Sequence, residues 1–336
     1  MSTNSDNPDI RQTRQTFAAL DAGKFIAALL VLTLHVHPLA SNPDGDYWLT
    51  CLCRIAVPFF FVTSSFLFFK RGGDIRKYVS RILILYAVWF VIESPLIIHD
   101  FFLDSDESLP RKLLLFGRGL FINSTFPASW FLTASWQGML LVWWLSRKLS
   151  RKWLVIIGLV CFLSTLPETM WYGLIAGTPV RPVYWWYVIL FCPANSFIIA
   201  IPYCIAGKFL AESEPPQKLT LCILGAAVPL SILEAAICRE TQWMTDSFLG
   251  LLFIAPCLVW LVANIRAGIG AKTSKCLRSM STLIYLCHLP VKLLLMHQMN
   301  LKEDWILFLL TLAICLVFAL TVYLLSLRIR PLKYLY

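Results

Sequence analysis

The sequence predicts an all-α fold, a polytopic membrane helical bundle of about ten transmembrane helices with both termini on the cytoplasmic side. Three observations predict it. Hydrophobic residues make up 58% of the chain and charged residues 14%, with a mean hydropathy of +0.71, whereas about a quarter of a soluble domain is charged. Apolar runs of membrane-crossing length recur from Phe25 to Leu327; they are continuous, which favours helices over the alternating strands of a barrel. Lysine and arginine concentrate in alternate loops, as the positive-inside rule requires.

Residues 1–19 read as a polar cytoplasmic tail. An apolar segment with two histidines follows directly, without a small-residue cleavage site, so the tail is not read as a signal peptide. Residues 20–336 read as a single transmembrane domain. Its crossings are expected at about 24–40, 47–69, 81–99, 128–146, 153–171, 184–207, 219–237, 247–264, 279–297 and 305–327. Between the third and fourth, Leu113 to Pro127 is broken by Gly117, Arg118, Gly119 and Pro127. It is either re-entrant or lies along the outer surface.

Orientation follows from Lys70, Arg71, Arg76, Lys77 and Arg81, then Arg147, Lys148, Arg151 and Lys152, then Arg266, Lys272, Lys275 and Arg278. Arg11 and Arg14 near the start and Arg328, Arg330 and Lys333 near the end join them. Asp44, Asp46, Asp104, Asp106 and Glu107 fall in the opposite loops, so an even number of crossings is consistent. The net charge of +10 is thus spread over short loops and does not form the single basic face that nucleic acid needs. Membrane lipids, not nucleic acid, are the expected partners. The eleven cysteines lie mostly in apolar runs, and Cys51 and Cys53 lack a second pair at zinc spacing, so no metal site is expected.

Function then rests on polar groups at membrane depth, where an ionisable side chain is costly unless it has a partner or a cavity. Lys24 stands at the start of the first helix, and His35 lies eleven residues on, roughly 16 Å along the axis. Eleven residues are close to three turns, so Asp21, Lys24 and His35 share a stripe. A neutral imidazole at mid-membrane can take a proton from a hydroxyl, which makes His35 a candidate general base; helix packing alone would also explain an isolated histidine. His37, just before Pro38, is given a structural role.

Arg54 cannot lose its proton and needs an anion. Either a structural ion pair, for which Glu93 is the candidate, or a bound ligand supplies it. Ser64 and Ser65 suit close helix approach. Ser281, Tyr285, His288 and Lys292 form one stripe on the ninth helix, which points to a water-lined cavity or to an interhelical hydrogen-bond network. Trp130, Trp143, Trp144, Trp185 and Trp186 fall near expected interfaces, where aromatic belts are normal.

These motifs carry a resemblance. Leu20-Asp21-Ala22-Gly23-Lys24, ten residues, then His35 resembles the first helix of the integral-membrane acyltransferase-3 family, in which a basic residue precedes a histidine at that distance. Arg54-Ile55-Ala56-Val57-Pro58-Phe59-Phe60-Phe61 with Ser64 is similar to its second-helix signature, Ser129-Trp130-Phe131-Leu132 to its Trp-Phe-Leu element, and Ser281 to His288 to its late Ser, Tyr, His pattern. Three positions depart from the pattern: Lys24 replaces the commoner arginine, Ser65 stands where glycine is usual, and Ala128 where a histidine is often found.

The resemblance implies a membrane-bound, acyl-CoA-dependent O-acyltransferase of the bacterial cytoplasmic (inner) membrane. It would move an acetyl group from acetyl-CoA, a donor substrate and not a permanently bound cofactor, to a hydroxyl of a surface carbohydrate or its lipid-linked precursor. By the same resemblance His35 would be the base, Lys24 and Arg54 would assist the donor, and Trp130 would line the site. The branch closest to this sequence includes enterobacterial surface-polysaccharide acetyltransferases and the membrane domain of vancomycin-resistance serine racemases. A transporter of a small polar molecule, such as an amino acid, is the alternative that the Ser281, Tyr285 and His288 stripe allows. Acceptor specificity is expected in the loops near 40–47, 100–127 and 171–184.

Overall fold

Helices start where a short polar side chain meets the first free backbone N–H groups. Asn42 accepts from Gly45 N, Asp74 from Arg76 N, Ser196 from Ile198 N and Asp304 from Leu307 N, each opening a helix. His37, Cys192 and Asn300 end helices in the left-handed conformation, a common way to stop a helix.

The structure is a computed structural model that describes residues 17–103, 107–126 and 128–336, with backbone alone at 100 and 101. Residues 1–16 of the expected tail, including Arg11 and Arg14, lie outside the described residues, as do Asp104, Asp106 and Pro127. The chain is 77% helix, with no strand among the described residues.

The α-helices are α1 (Ala18–Val36), α2 (Pro43–Cys53), α3 (Ala56–Lys70), α4 (Ile75–Ile92), α5 (Ser94–Ile98), α6 (Leu109–Phe121), α7 (Trp130–Leu145), α8 (Arg151–Leu163), α9 (Tyr172–Ile175), α10 (Val180–Phe191), α11 (Phe197–Glu212), α12 (Gln217–Cys238), α13 (Leu251–Ala263), α14 (Ala271–Met299) and α15 (Trp305–Ser326). Five described segments are long and apolar enough to cross a membrane: α1, α2 with α3, α12, α14 and α15. A sixth forms if α10 and α11, bent by 44°, are one span. The other four expected crossings fall on α4, whose first two turns carry Arg76, Lys77 and Arg81, and on α7, α8 and α13, of 16, 13 and 13 residues. Those three are shorter than the roughly 20 residues that cross hydrocarbon. Leu113 to Pro127 contributes the end of α6, whose Leu109, Leu113, Leu114 and Phe121 are exposed while Arg118 Nη1 donates to Ile189 O at 2.7 Å.

α1 and α14 run side by side in the same direction. Asp21 meets Ser274 and Arg278, Lys24 O meets Ser281, and His35 meets His288 and Lys292, in rising order on both helices. α3 packs on α11 at Gly207, where an added Cβ would lie 2.5 Å from Val62 O and 2.8 Å from Ser65 Cβ. Small residues let backbones approach this closely in membranes. Ser65, which stands where the family favours glycine, uses the contact by donating to Cys204 O at 2.6 Å. On α12 and α15, Ile232, Leu233, Ile237, Leu309, Val317 and Leu324 are exposed, as suits a face turned to lipid.

Loop contacts divide into two groups. One joins 37–47, 168–171, 194 and 234–249: His37 Nδ1–H donates to Asp46 at 2.9 Å, Arg239 pairs with Asp44, Tyr47 donates to Ala235 O at 2.6 Å, Trp171 Nε1 and Leu249 N donate to Glu234 at 2.9 and 2.8 Å, and Trp243 N donates to Thr169 O at 3.2 Å. Ala194 N donates to Glu168 at 2.8 Å. The other joins 70, 214–215 and 260, through Lys70–Glu214 at 3.4 Å and Trp260 Nε1 to Pro215 O at 3.0 Å.

Candidate functional site

Between α1, α3, α4, α7 and α14 lies a cavity of about 210 Å³. Lys24, Arg81 and Arg278 line it together with Tyr78, Ser64, Ser135, Ser281 and Tyr336, and its apolar wall includes Phe60, Phe131, Leu132, Tyr285 and Leu286. Arg81 is exposed and Arg278 half-buried, whereas Phe60, Leu132 and Tyr285 are buried. The basic residues therefore mark its mouth and the aromatic ones its inner end.

Three cations from three helices share little negative charge. Lys24 Nζ is 4.0 Å and Arg278 Nη1 3.8 Å from the Asp21 carboxylate, which also accepts from Ser274 Oγ at 2.6 Å. Arg81 forms no ion pair among the described residues. A mouth with this excess of positive charge can hold a polyanion such as a chain of phosphates. Ser281 Oγ donates to Lys24 O at 3.0 Å, tying α14 to α1 at the same level.

His35 does not line this cavity. It stands behind Tyr285, reached through His288: the Tyr285 and His288 rings are 6.0 Å apart, and those of His288 and His35 are 5.1 Å apart. His35 Nδ1 lies 2.9 Å from Val31 O, and His288 Nδ1 lies 2.7 Å from Tyr285 O. A carbonyl only accepts, so these contacts assign the proton of each neutral ring to Nδ1. His288 Nε2 then presents a lone pair to His35 Nδ1–H at 3.2 Å. His35 Nε2 keeps a lone pair that no described residue takes up. Lys292 Nζ donates to His35 O at 2.6 Å and to Glu303 at 2.5 Å, anchoring the last turn of α1.

A second cavity, of about 30 Å³, is lined by Leu34, Arg54, Phe61, Trp130, Tyr203 and Asp246 among others. The candidates thus separate. Lys24, Ser64, Ser281 and Tyr285 line the first cavity with Asp21 behind Lys24, Arg54 and Trp130 line the second, and His35 with His288 stands off the inner end of the first. Glu93 joins neither. The expected Arg54–Glu93 pair is not formed: Arg54 pairs with Asp246 and donates from Nε to Thr245 at 3.1 Å. The reason is local, because the break between α2 and α3 falls at Arg54 and turns its guanidinium to the 245–246 loop. Glu93, 3% exposed at the end of α4, has both carboxylate oxygens without a hydrogen bond among the described residues.

Sequence reasoning missed Tyr78, Arg81 and Arg278 as site residues and Asp246 as the partner of Arg54. A single arginine in a basic loop carries little signal on its own. Arg278, however, stands three residues before Ser281 and so extends the Ser281, Tyr285, His288 stripe toward the mouth.

The model of the acyltransferase-3 family, described as an acyltransferase domain, matches residues 17–327. The chain belongs to this family. It is also similar to two amino-acid racemases of Enterococcus faecalis, 23% identical over 209 residues (59% of this chain, 29% of the relative) and 24% identical over 303 residues (84% and 42%). A serine/alanine racemase of Enterococcus gallinarum is 29% identical over 176 residues (49% and 25%). The chain therefore spans less than half the length of these curated relatives. No solved structure matches it. Family membership and the long apolar helices together make this a multi-pass membrane protein.

Proposed function

We propose that the protein is a membrane-bound O-acyltransferase that moves an acetyl group from cytoplasmic acetyl-CoA to a hydroxyl of a surface carbohydrate or its lipid-linked precursor. The observation that carries this reading is the cavity with Lys24, Arg81 and Arg278 at its mouth, whose inner end leads through Tyr285 to the His288–His35 pair. The three cations suit the phosphates of a coenzyme, and the histidine pair suits proton transfer from a hydroxyl.

In the reaction, His35 Nε2 accepts the acceptor hydroxyl proton as the oxygen attacks the thioester carbonyl. The tetrahedral oxyanion collapses, the carbon–sulfur bond breaks and the new ester remains. The proton on His35 then passes to the departing thiolate sulfur. His288 holds the Nδ1–H side of His35, and Lys292 holds the backbone of its turn. The Tyr285 hydroxyl, at the inner end, can donate to the oxyanion by exchanging its bond to Ala128 O.

A ten-crossing arrangement in the inner membrane, with both termini cytoplasmic, is supported by three features. α1 and α14, the first and ninth crossings, run in the same direction. Contacts at one end join the first, fifth and seventh loops and Ala194, and those at the other end join the second and sixth loops and the last turn of α13. Tyr336 shares a cavity with Lys24 near the start of α1.

The test uses membrane vesicles and radiolabelled acetyl-CoA, with label followed into the glycan and lipid fractions. The parent incorporates label, and His35→Ala, inserted at equal level, loses roughly 10²- to 10⁴-fold in rate, the range of general-base catalysis. Parental rates in that variant would refute the mechanism. The second reading, a small-molecule transporter, draws on the relatives named amino-acid racemases. It requires saturable serine or alanine uptake by the same vesicles without acyl donor.

A further inference from the structure

The two cavities are separated by aromatic rings contributed in adjacent pairs. Phe60 and Phe131 line the Lys24 cavity, while their chain neighbours Phe61 and Trp130 line the Arg54 cavity. The rings are in mutual contact: Phe60–Phe131 centroids are 5.7 Å apart, Phe131–Tyr285 5.0 Å, Phe60–Tyr285 6.0 Å, Phe61–Phe131 4.9 Å and Phe61–Trp130 6.4 Å. Phe131 is central, because it also meets Trp130 at 6.5 Å and so touches each of the other four rings. Before the oxyanion forms, Tyr285 is tethered by its hydroxyl bond to Ala128 O at 3.2 Å. Phenylalanine has no such tether, so Phe131 and Phe60 are the members that can change rotamer.

We infer that this aromatic wall is where the acyl group of the donor ends, and that Phe131 sets the longest acyl chain accepted. The inference rests on the proposed acyl-CoA reading. A donor whose phosphates sit at Lys24, Arg81 and Arg278 directs its thioester toward the inner end, where Phe60, Phe131 and Tyr285 form the wall. His35 stands behind Tyr285 of that wall, reached through His288. A two-carbon acyl group ends against these rings, whereas a longer chain must displace packed aromatic neighbours. One methylene in a tight apolar pocket changes selectivity by roughly tenfold or more.

The experiment measures binding of free CoA, acetyl-CoA and hexanoyl-CoA to purified parent, Phe131→Ala and Phe131→Leu, each referred to its own affinity for free CoA. The parent is expected to bind hexanoyl-CoA at least roughly tenfold more weakly than acetyl-CoA. Phe131→Ala should bring that ratio close to one, with Phe131→Leu in between. If Phe131→Ala binds no CoA, Phe131→Leu decides alone. A parent that does not discriminate, or variants that keep the parental ratio, would overturn the inference while leaving the donor reading standing. A parent that binds none of the three would remove the donor reading, and this inference with it.

Discussion

At the residue scale, the first helix carries three roles along one stripe. Asp21 balances the cationic mouth, Lys24 lines the cavity, and His35 presents an unengaged Nε2. In the proposed mechanism Lys292 acts through His35, because it donates to the His35 carbonyl and not to the ring. Lys292→Met is therefore expected to slow transfer roughly ten- to hundredfold, the scale of a small misplacement of a catalytic group, while acetyl-CoA binding stays at the parental level. A loss of binding equal to the loss of rate would place Lys292 in donor recognition instead. Glu93 offers an opposite case. With no hydrogen-bonding partner among the described residues, Glu93→Gln breaks no bond and removes the cost of burying a carboxylate, so it is not expected to lower stability. Removing Asp246, the actual partner of Arg54, should cost more, since breaking a buried pair costs about 3–5 kcal/mol and Arg54 and Asp246 are largely buried. Thermal unfolding in detergent compares the two.

At the element scale, close approach of α3 and α11 sets the geometry of the cavity wall, because α3 carries Phe60, Ser64 and the ring partner Phe61. Gly207→Val would push against Val62 O and Ser65 and is expected to destabilise by about 1–3 kcal/mol, as overpacking does, visible as a lower Tm; an unchanged Tm would contradict the packing described. Elements are legible in the sequence to different degrees. α1, α12, α14 and α15 stand out as long apolar runs. The Lys24–His35 stripe and the Ser281–His288 stripe follow from helical spacing, and the structure brings them face to face. Which helix lies against which is not a property of spacing, so the pairing of Arg54 with the distant Asp246 is hidden in the sequence. The assignment of Glu93 to Arg54 fails for that reason. The break at Arg54 is hidden too, because the apolar run continues through it, whereas the breaks at Glu93 and Cys192 are marked by Ser94-Pro95 and by Pro193 with Asn195 and Ser196.

At the scale of the whole molecule, five described segments are long and apolar enough to cross a membrane, or six if α10 and α11 are one span, and the proposed arrangement of ten crossings adds α4, α7, α8 and α13. Reporter fusions test this. A reporter placed after Gly72 or after Ala267 should report the cytoplasm, and one after Gln242 the outside; a cytoplasmic signal after Gln242 would contradict the topology. In that proposed arrangement the positive mouth opens at the cytoplasmic end, where the proposed donor would enter.

The measurement that tests the proposed donor site most directly is acetyl-CoA binding to the purified protein, comparing the parent with Lys24→Ala and Arg278→Ala. Saturable binding is expected, weakened in each variant by about 1.5–3 kcal/mol, the value of a hydrogen bond to a charged group. Absence of binding by a folded parent, or parental affinity in both variants, would contradict it.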